Sequence, residues 1–590
     1  MRIAVLVKQI PAPEQLRFEG TRLARLGVDL EVSAYCRRAN AKAVELAGAD
    51  GEVVVFTMGP PAAEDALREM LACGATRAVH LCDPAFAGAD TLATARALAA
   101  AIRAEGPFDL VLVGVNSLDA DTGQVGPEVA ELLGLPFAAA VRDLEVADGS
   151  FRARLELDDG YAEVEGPLPA VLSTAERLCD PSKAKPEQRE LVDAGLIRCV
   201  GPAELGLGAE DIGEAGSPTR VGPVRLEEVA RHRRRVDTAA EAVTALEQLG
   251  AFDEDVAAAV LDVVSDTGGS GPAVWCFVEP GGGRASDELL GEAAALAAAL
   301  GGSVTAVTPE PVPSGLGAKG ADRILVVPGD HHPERWAAAL GAAAARELPW
   351  ALLLGSNRAG RTVASLVAAR NGWGLTGDAI GLEVAVDGRL LAWKPAFGGR
   401  LVAPIESDSP VQMATVRPGV LHARQPRAAS EPVTEVLPDA APARISIRSV
   451  ARDDDSALDL LEADRVIGIG TGIEPGEYHL LEPLRHALGG APLAATRRVT
   501  DKGWMPHSRQ VGITGHYLAP RLYVAIGLSG RFNHMVGVRK AATVLAVNAD
   551  PEALVFDQCD VGIVGDWRTV LPELVAALGA RERQPAAVGD

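Results

Sequence analysis

The sequence predicts an α/β protein built from three doubly wound parallel-sheet domains. Short apolar runs rich in Val, Ile and Leu recur along the whole chain, as buried parallel strands require. Stretches dominated by Ala, Leu and Glu lie between them, giving a βαβ rhythm. The 590 residues also leave room for three or four domains of about 150 residues each.

Taken in order, residues 2–7 (RIAVLV) are the first strand candidate, followed by 52–57, 78–82 and 109–114. Helices are expected at Ala41–Ala47, Glu64–Cys73, Thr91–Ala104 and Pro127–Leu133. Residues 151–174 read as a hairpin turning at Asp159–Gly160. From about 180 to 235, Pro, Gly and charge accumulate. Ser182–Glu190 and the run Arg231–Arg235 read there as extended, solvated connections. Thr238–Leu249 is a helix candidate, and 251–270 a linker ending in DTGGSG. A second unit opens with AVWCFVEP (273–280), the helix Glu288–Leu300 and strands at 303–307, 323–327 and 350–354, and then turns β-rich over 380–420. A third has strands at 465–469, 522–526, 543–547 and 561–564. The expected boundaries are therefore 1–250, 251–270, 271–449 and 450–590. The first two units share a rhythm without a residue-level repeat.

Composition removes several classes. A formal charge of −24 opposes non-specific nucleic-acid binding, which needs clustered Lys and Arg against phosphate. Cys36, Cys73, Cys82, Cys179, Cys199, Cys276 and Cys559 form no CxxC pair, so no metal site is expected from spacing. Scattered single cysteines point to reduced thiols and a cytoplasmic location. No apolar run of about 18 residues occurs, so no membrane insertion is expected. There is no HExxH, no Walker A loop and no GxSxG elbow in a suitable context.

The richest stretch is Thr496–Asp566. It contains Thr496–Arg497, the block QVGITG (510–515), the block GLSG (527–530), Asn533–His534, Asn548 closing the run TVLAVN, and Asp560 in CDVGIVGD. Gly-rich turns between strands and helices leave backbone N–H groups free for a pyrophosphate. In order and spacing these blocks resemble the FAD domain of the electron transfer flavoprotein (ETF) α subunit. GSNRAGRTVASLVAARNGWGLTGDAIGLEV (355–384), KPAFGGR (394–400) and MATVRPGV (413–420) resemble other α-subunit patterns. Residues 1–250 resemble the β subunit, so the chain reads as a β–α fusion. The resemblance implies two adenine-nucleotide-hydrolase-like domains and a Rossmann-like FAD domain.

It also implies roles. Arg497, after Thr496, would lie against the isoalloxazine ring. Gln510, Val511, Gly512, Thr514 and Gly515 would form the flavin loop, with the Thr514 hydroxyl on flavin N5 and Gly515 allowing close backbone approach. Ser529 and Gly530 would face the pyrophosphate. Asn533 stands where many members have Gln, and His534 would stabilise charge at flavin N1/O2. Asn548 and Asp560 would meet the adenosine end. Arg361, Arg370 and Arg417 read as structural, fixing loops and domain contacts.

A second site follows from GVNSLDADTGQVGP (114–127), a loop between a strand and a helix. By resemblance Leu6, Ser33, Cys36, Met58, Gly59, Asp119, Asp121, Thr122, Gly123, Gln124, Val125 and Gly126 would hold AMP or a second FAD. Cys36 favours the AMP type. AFAGADT (85–91), DADTGQVGP and GSPTRV (216–221) favour the two-flavin type, and Asp90–Thr91 can equally be only a helix start. Leu178 and Lys183 would dock a partner, and Glu156 would pair with a mobile FAD domain swivelling near 425–450 and near 575.

The function implied is that of an electron carrier rather than a conventional enzyme. It would accept electrons from flavin-dependent dehydrogenases and pass them toward a quinone oxidoreductase. Two other readings stay open: an electron-bifurcating, two-FAD oxidiser of NAD(P)H, and a nucleotide-binding regulatory protein without redox partners.

Overall fold

Apolar runs buried on both faces must pair side by side through helical crossovers, and the chain does this three times. The computed structural model describes all residues except 12–17, 20–21, 24–28, 118, 159, 227–229, 253–261, 330, 397–398, 400, 422–423, 429–430, 453–457, 513–514 and 583–590. Asp159 and Thr514 therefore lie outside the described residues. The chain divides into two units. Met1–Leu226 with Asp262–Ala451 forms one, and Glu227–Leu261 with Arg452–Asp590 the other.

In the first unit, a ten-stranded sheet has the order Ile197–Val200, Arg77–Leu81, Glu52–Met58, Arg2–Leu6, Leu110–Gly114, Ala170–Thr174, Phe137–Ala147, Ser150–Glu156, Gly160–Pro167, Ser446–Arg452. The strands from Ile197–Val200 through Phe137–Ala147 are parallel, and the meander Phe137–Pro167 is antiparallel. Ile3, Ala4 and Val5 are fully buried, as a central parallel strand requires. A seven-stranded parallel sheet has the order Leu375–Ala379, Gln412–Val416, Ala351–Gly355, Ala273–Phe277, Ser303–Pro309, Arg323–Val327, Val433–Val436.

These two sheets repeat one plan. In chain order, the first four parallel strands of each stand as 3-2-1-4, and the next two follow on the same side in reversed order. The correspondence reaches single residues. Ala140 (φ 55°) and Asp378 (φ 61°) each have positive φ at the fourth position of equivalent strands. The Ala140 N–H donates to Ser173 Oγ, and the Asp378 N–H donates to Thr415 Oγ1, both at 2.9 Å. Ser173 and Thr415 are themselves equivalent positions of the next strand. The sequence hides this repeat because the device needs only a hydroxyl and a tolerated left-handed residue, not a fixed residue type.

The tail of the N-terminal half adds strands to sheets built by later residues. Thr219–Val221 and Arg225–Leu226 pair antiparallel with Leu401–Ser407 in the first unit. Arg234–Val236 pairs parallel with Val561–Val564 in the second, where Ala239–Gln248 packs on Trp567–Glu582. The run Arg231–Arg235, expected as a solvated connection, is thus partly a strand. Arg231 is buried against Asp560 at 2.8 Å.

The chain passes between units at 226–227, 261–262 and 451–452. These points differ from the expected boundary at 250 and from swivels near 425–450 and 575. Val433–Val436 and Ser446–Arg452 are sheet strands, and residue 575 lies inside the helix Trp567–Glu582. Part of the expected linker also packs: the Val264 N–H donates to Gln425 O at 2.9 Å.

Asp560 accepts from the Val544 N–H (2.8 Å), the His232 N–H (3.2 Å) and Arg231. Burial pushes its carboxyl up, but these hydrogen bonds and the Arg231 guanidinium hold it below the usual carboxylate range. Because its folded pKa is depressed, its stabilisation is present above the unfolded pKa and is lost as pH falls through the folded value. Asp560→Ala leaves the charge of Arg231 without its carboxylate, with only the Arg539 carbonyl as a partner among the described residues, and is expected to destabilise the second unit by about 3–5 kcal/mol. Hydrogen exchange of Thr543–Asn548 and Val561–Val564 checks this, and an unchanged exchange rate would refute it.

Candidate functional site

In a doubly wound sheet, ligands lie beyond the carboxyl ends of the strands where the strand order reverses. The second unit's parallel sheet has the order Leu493–Ala495, Arg465–Ile469, Leu522–Ile526, Thr543–Asn548, Val561–Val564, Arg234–Val236. Its first five strands, in chain order, stand as 2-1-3-4-5, so the reversal falls between Arg465–Ile469 and Leu522–Ile526. The turns leaving those strands are Gly470–Ile473 and Gly527–Gly530. A Cβ at Gly470 would collide with Gly527 O, and one at Gly530 (φ 73°) would collide with the Val555 N–H. The two turns therefore meet backbone to backbone at Gly470, Gly472 and Gly527, with glycine at their points of closest approach, as a turn that brings N–H groups to a pyrophosphate requires. Asn548 Nδ2 donates to Leu528 O (2.8 Å), and Gln558 Nε2 donates to Gly530 O (2.6 Å), which fixes the second turn. Thr496 leaves the adjoining strand Leu493–Ala495 at the same edge.

The expected flavin residues divide by what they do. Thr496, Ser529, Gly530 and Asn548 stand at the carboxyl edge. Arg497 opens the helix Arg497–Asp501 and pairs with Asp501 at 3.3 Å. Gln510 is buried, and its Oε1 accepts from Thr500 Oγ1 at 2.5 Å, so this side chain secures the loop from inside. The Val511 N–H donates to Ala495 O (3.0 Å) and the Gly515 N–H to Gly512 O (3.0 Å). Gly512 has φ 130°, and a Cβ there would strike Asn533 O. Asn533 is exposed.

Two expectations change. Asp560 precedes the strand Val561–Val564 and bonds the N–H of Val544 near the start of the next strand, so it lies at the amino edge, opposite Ser529 and Asn548. Its carboxylate anchors the tail instead. His534 is buried, with Nε2 2.7 Å from Tyr523 Oη and Nδ1 3.0 Å from Val511 O. A carbonyl only accepts, so Nδ1 carries the proton and Nε2 accepts from Tyr523. Burial lowers this imidazole to about 4, so it is neutral at pH 7 and supplies no fixed positive charge.

The first unit has a second crevice. Its order reverses between Arg2–Leu6 and Leu110–Gly114. Leu6 ends one strand. Ser33 stands at the start of the helix Ala34–Ala47, and Cys36 lies in its first turn. Met58 ends the neighbouring strand, and the Gly59 N–H donates to Leu81 O. A Cβ at Gly114 would lie 2.8 Å from Tyr35 Cβ, so this glycine lets the helix start close on the strand end. The loop 115–124 then carries Asp119, which Lys8 Nζ binds at 2.8 Å. Burial raises that carboxyl, but the Lys8 charge and hydrogen bonds from Lys8 and Ser117 bring it below its usual range. Asp121 (φ 49°) pairs with Asn116 and with Arg361, and Thr122 and Gly123 follow it.

The helix starts at Val125, not at Pro127. Gly126 lies inside it, where a Cβ would press on Val113 and Phe137, so its role is close packing. Gln124 is buried and turned inward, with its amide on Leu375 O and its carbonyl accepting from Thr91 Oγ1 at 2.8 Å. The equivalent crevice of the seven-stranded sheet lacks such a loop: only Ser356 and Asn357 separate Ala351–Gly355 from the helix Arg358–Asn371. There Asp378, bound by Arg417 and by Arg361 at 3.2 Å, fills the space with the protein's own charges.

The docking expectation also shifts. Leu178 is 9% exposed and joins the core with Val32, Cys36 and Ala39, whereas Lys183 is exposed. Leu191, 86% exposed, is the large apolar side chain that this segment presents. Arg189 pins the helix Pro186–Glu190 beneath it, binding Asp65 at 2.6 Å and the buried Glu69. Glu156 accepts from Arg358 (3.3 Å) within the first unit. The stretch Leu6–Lys8, read from the sequence as lining this second site, supplies Lys8 to Asp119. Sequence reasoning missed Tyr523 and the turn Gly470–Ile473, and only the turn had a signal, the glycine-rich GTGI directly after the strand Arg465–Ile469.

A histidine held neutral by burial makes stability depend on pH. His534 has a lower folded than unfolded pKa, so the unfolded chain binds more protons between about pH 4 and 6.5, and stability rises with pH there. Acidifying from pH 7 to 4 is expected to cost roughly 3 kcal/mol through this group alone. His534→Gln should flatten the pH 4–6.5 part of the stability profile measured by denaturant unfolding, and an unchanged slope would count against the buried neutral state.

Comparison with known proteins accords with this geometry. The electron transfer flavoprotein domain family matches residues 21–194 and 276–441, over half of the chain, once in each half. The electron transfer flavoprotein FAD-binding domain matches residues 459–539, which hold the switch-point turns of the second unit. The chain is 36% identical over 319 residues to the electron transfer flavoprotein subunit alpha of Thermoanaerobacterium thermosaccharolyticum, covering 51% of this chain and 96% of that protein. It is 37% identical over 329 residues to the protein FixB of Bradyrhizobium diazoefficiens (52% and 89%), and 30% identical over 352 residues to the acryloyl-CoA reductase electron transfer subunit beta of Anaerotignum propionicum (52% and 95%). Among the described residues no helix is long and apolar enough to cross a membrane. With two family domains followed by the FAD-binding domain in one polypeptide, this chain belongs to the electron transfer flavoprotein family, as a fused two-part member.

Proposed function

We propose that the chain is a single-flavin electron shuttle, taking electrons from flavin-dependent dehydrogenases and delivering them toward a quinone oxidoreductase. The observation that carries this reading is the backbone-to-backbone meeting of the turns Gly470–Ile473 and Gly527–Gly530, through Gly470, Gly472 and Gly527, at the strand reversal of the domain that matches the FAD-binding family. FAD held there supplies the redox chemistry, and the chain supplies binding, orientation and charge. Ser529 and Gly530 offer the pyrophosphate turn, and Asn548 secures it. Thr496, Arg497, Val511, Gly512 and Gly515 would line the ring; Thr514, outside the described residues, keeps its assignment to the ring from the sequence resemblance alone. With His534 neutral, Arg497 is the residue assigned to bring positive charge to the reduced flavin.

The loop 115–124 is assigned to AMP. The motifs that pointed to a second flavin are committed to each other: Asp90 caps its helix through the Ala93 N–H and accepts from Thr219 Oγ1 (2.7 Å), and Ser217 Oγ accepts from the Asp90 N–H (2.8 Å). The likeness to an acryloyl-CoA reductase electron transfer subunit supports an acyl-CoA-linked flavoenzyme as partner. Leu191 takes the contact role first assigned to Leu178, beside Lys183.

The deciding experiment is the nucleotide content released on denaturation. One FAD and one AMP per chain are expected. Two FAD and no AMP would favour the NAD(P)H-oxidising, bifurcating reading, and no flavin after incubation with FAD would overturn the assignment. Gly530→Ala, at a positive φ against backbone, is expected to lose FAD while keeping the AMP of the first unit. Leu191→Ala should slow reduction by an acyl-CoA dehydrogenase about 10-fold or more without changing FAD content, as loss of a central apolar contact does.

A further inference from the structure

His534 is held on both ring nitrogens by groups that come from two different elements. Tyr523, near the start of the strand Leu522–Ile526, is fully buried. Its hydroxyl reaches across the sheet face over Gly468, where any Cβ would collide with Tyr523 Oη. Gly468 sits mid-strand in Arg465–Ile469, a place where glycine weakens a strand, and the hydroxyl uses the space that its missing side chain leaves. At the far end, Nδ1–H of His534 holds Val511 O. The N–H of that same peptide unit, on Gly512, donates to His516 O at 3.1 Å. Both polar ends of the Val511–Gly512 peptide are therefore fixed just where the loop Gln510–Gly515 begins.

We propose that Tyr523 is a positioning residue for the flavin-facing loop: its hydroxyl donates to Nε2 of His534, whose Nδ1–H tautomer is set by the Val511 carbonyl, and so holds the ring that sets the orientation of the Val511–Gly512 peptide. The ring-flipped alternative would aim a C–H at Val511 O and leave that carbonyl unpaired, which a buried acceptor strongly disfavours. Tyr523 cannot be replaced by an acid without placing a charge in an apolar cluster of Val466, Leu518, Met535 and Val538. No charged side chain contributes to the His534 shift, which arises from burial opposed by the Val511 bond. The proposal rests on the reading that this loop faces FAD.

The test uses the full-length protein with its bound FAD, labelled with 15N-histidine. The expected wild-type spectrum has His534 Nδ1 protonated and Nε2 as a hydrogen-bonded acceptor. In Tyr523→Phe the Nε2 signal should move toward that of a free imine nitrogen, the flavin midpoint potential should shift, and the FAD dissociation constant should rise about 10-fold, as expected for one lost hydrogen bond to a buried acceptor. His534→Asn, whose amide can still donate to Val511 O, should retain FAD better than His534→Ala. A wild-type protein that holds FAD but carries Nε2–H, or a Tyr523→Phe protein with unaltered Nε2 signal, potential and FAD affinity, would overturn the inference and leave the FAD assignment standing. A wild-type protein that takes up no FAD would overturn the assignment itself.

Discussion

A β-sheet ends in strands whose outer backbone groups still need partners, and in this chain distant sequence supplies them. The tail of the N-terminal half gives Thr219–Val221 and Arg225–Leu226 to a sheet built from residues 381–407, and Arg234–Val236 to the sheet of the FAD-binding domain. Backbone hydrogen bonds care little for side-chain identity. They let the N-terminal half complete the framework of the C-terminal half without a conspicuous motif. Once the tail is committed to both units, the three passages of the chain between them follow, and residues 251–252 fall with the FAD-binding domain.

Two buried carboxylates consolidate this arrangement. Asp378 gathers Arg361 and Arg417 in the first unit, and Asp560 gathers Arg231 and backbone N–H groups in the second. Both carboxyls are pushed up by burial and pulled below their usual range by these partners. Neither is worth much as a net gain over an apolar contact, but removing one member would strand a buried charge. Arg361 also reaches Asp121 in the loop 115–124, and Arg370 binds Glu131, so the second half supports the helix and loop of the first crevice.

The comparison of equivalent crevices shows how one plan serves two ends. Where ten residues, 115–124, are interposed between strand and helix, the helix starts well away from the strand end, and this is the loop proposed above for AMP. Where only Ser356 and Asn357 intervene, the helix closes directly on the strand and charged side chains fill the place. The FAD-binding sheet uses glycine: Gly470, Gly472 and Gly527 let two neighbouring turns touch backbone to backbone, and Gly530 lets the second turn close on Val555.

Much of this was legible in the residues. The parallel strands, the hairpin following residue 150, the glycine turns and the family were readable because apolar runs, turn chemistry and spaced motifs are local properties. Ser529, Gly530 and Asn548 stand at the carboxyl edge because each closes or follows a strand recognisable in the sequence, whereas the short strand Leu493–Ala495 that brings Thr496 there was not read. Asp560 was misread because a motif gives a position in the chain but not which edge of a sheet it occupies. Leu178 was misread because exposure depends on what packs above it. The neutrality of His534 depends on its burial, and the placement of its partner Tyr523 on the space left by Gly468, a residue on a different strand. The sequence by itself determined the elements and the turn chemistry, because these depend on neighbours a few residues away. Only the tertiary structure decided which edge, which face and which protonation state each residue takes, because those depend on burial and on partners that the fold brings from hundreds of residues away.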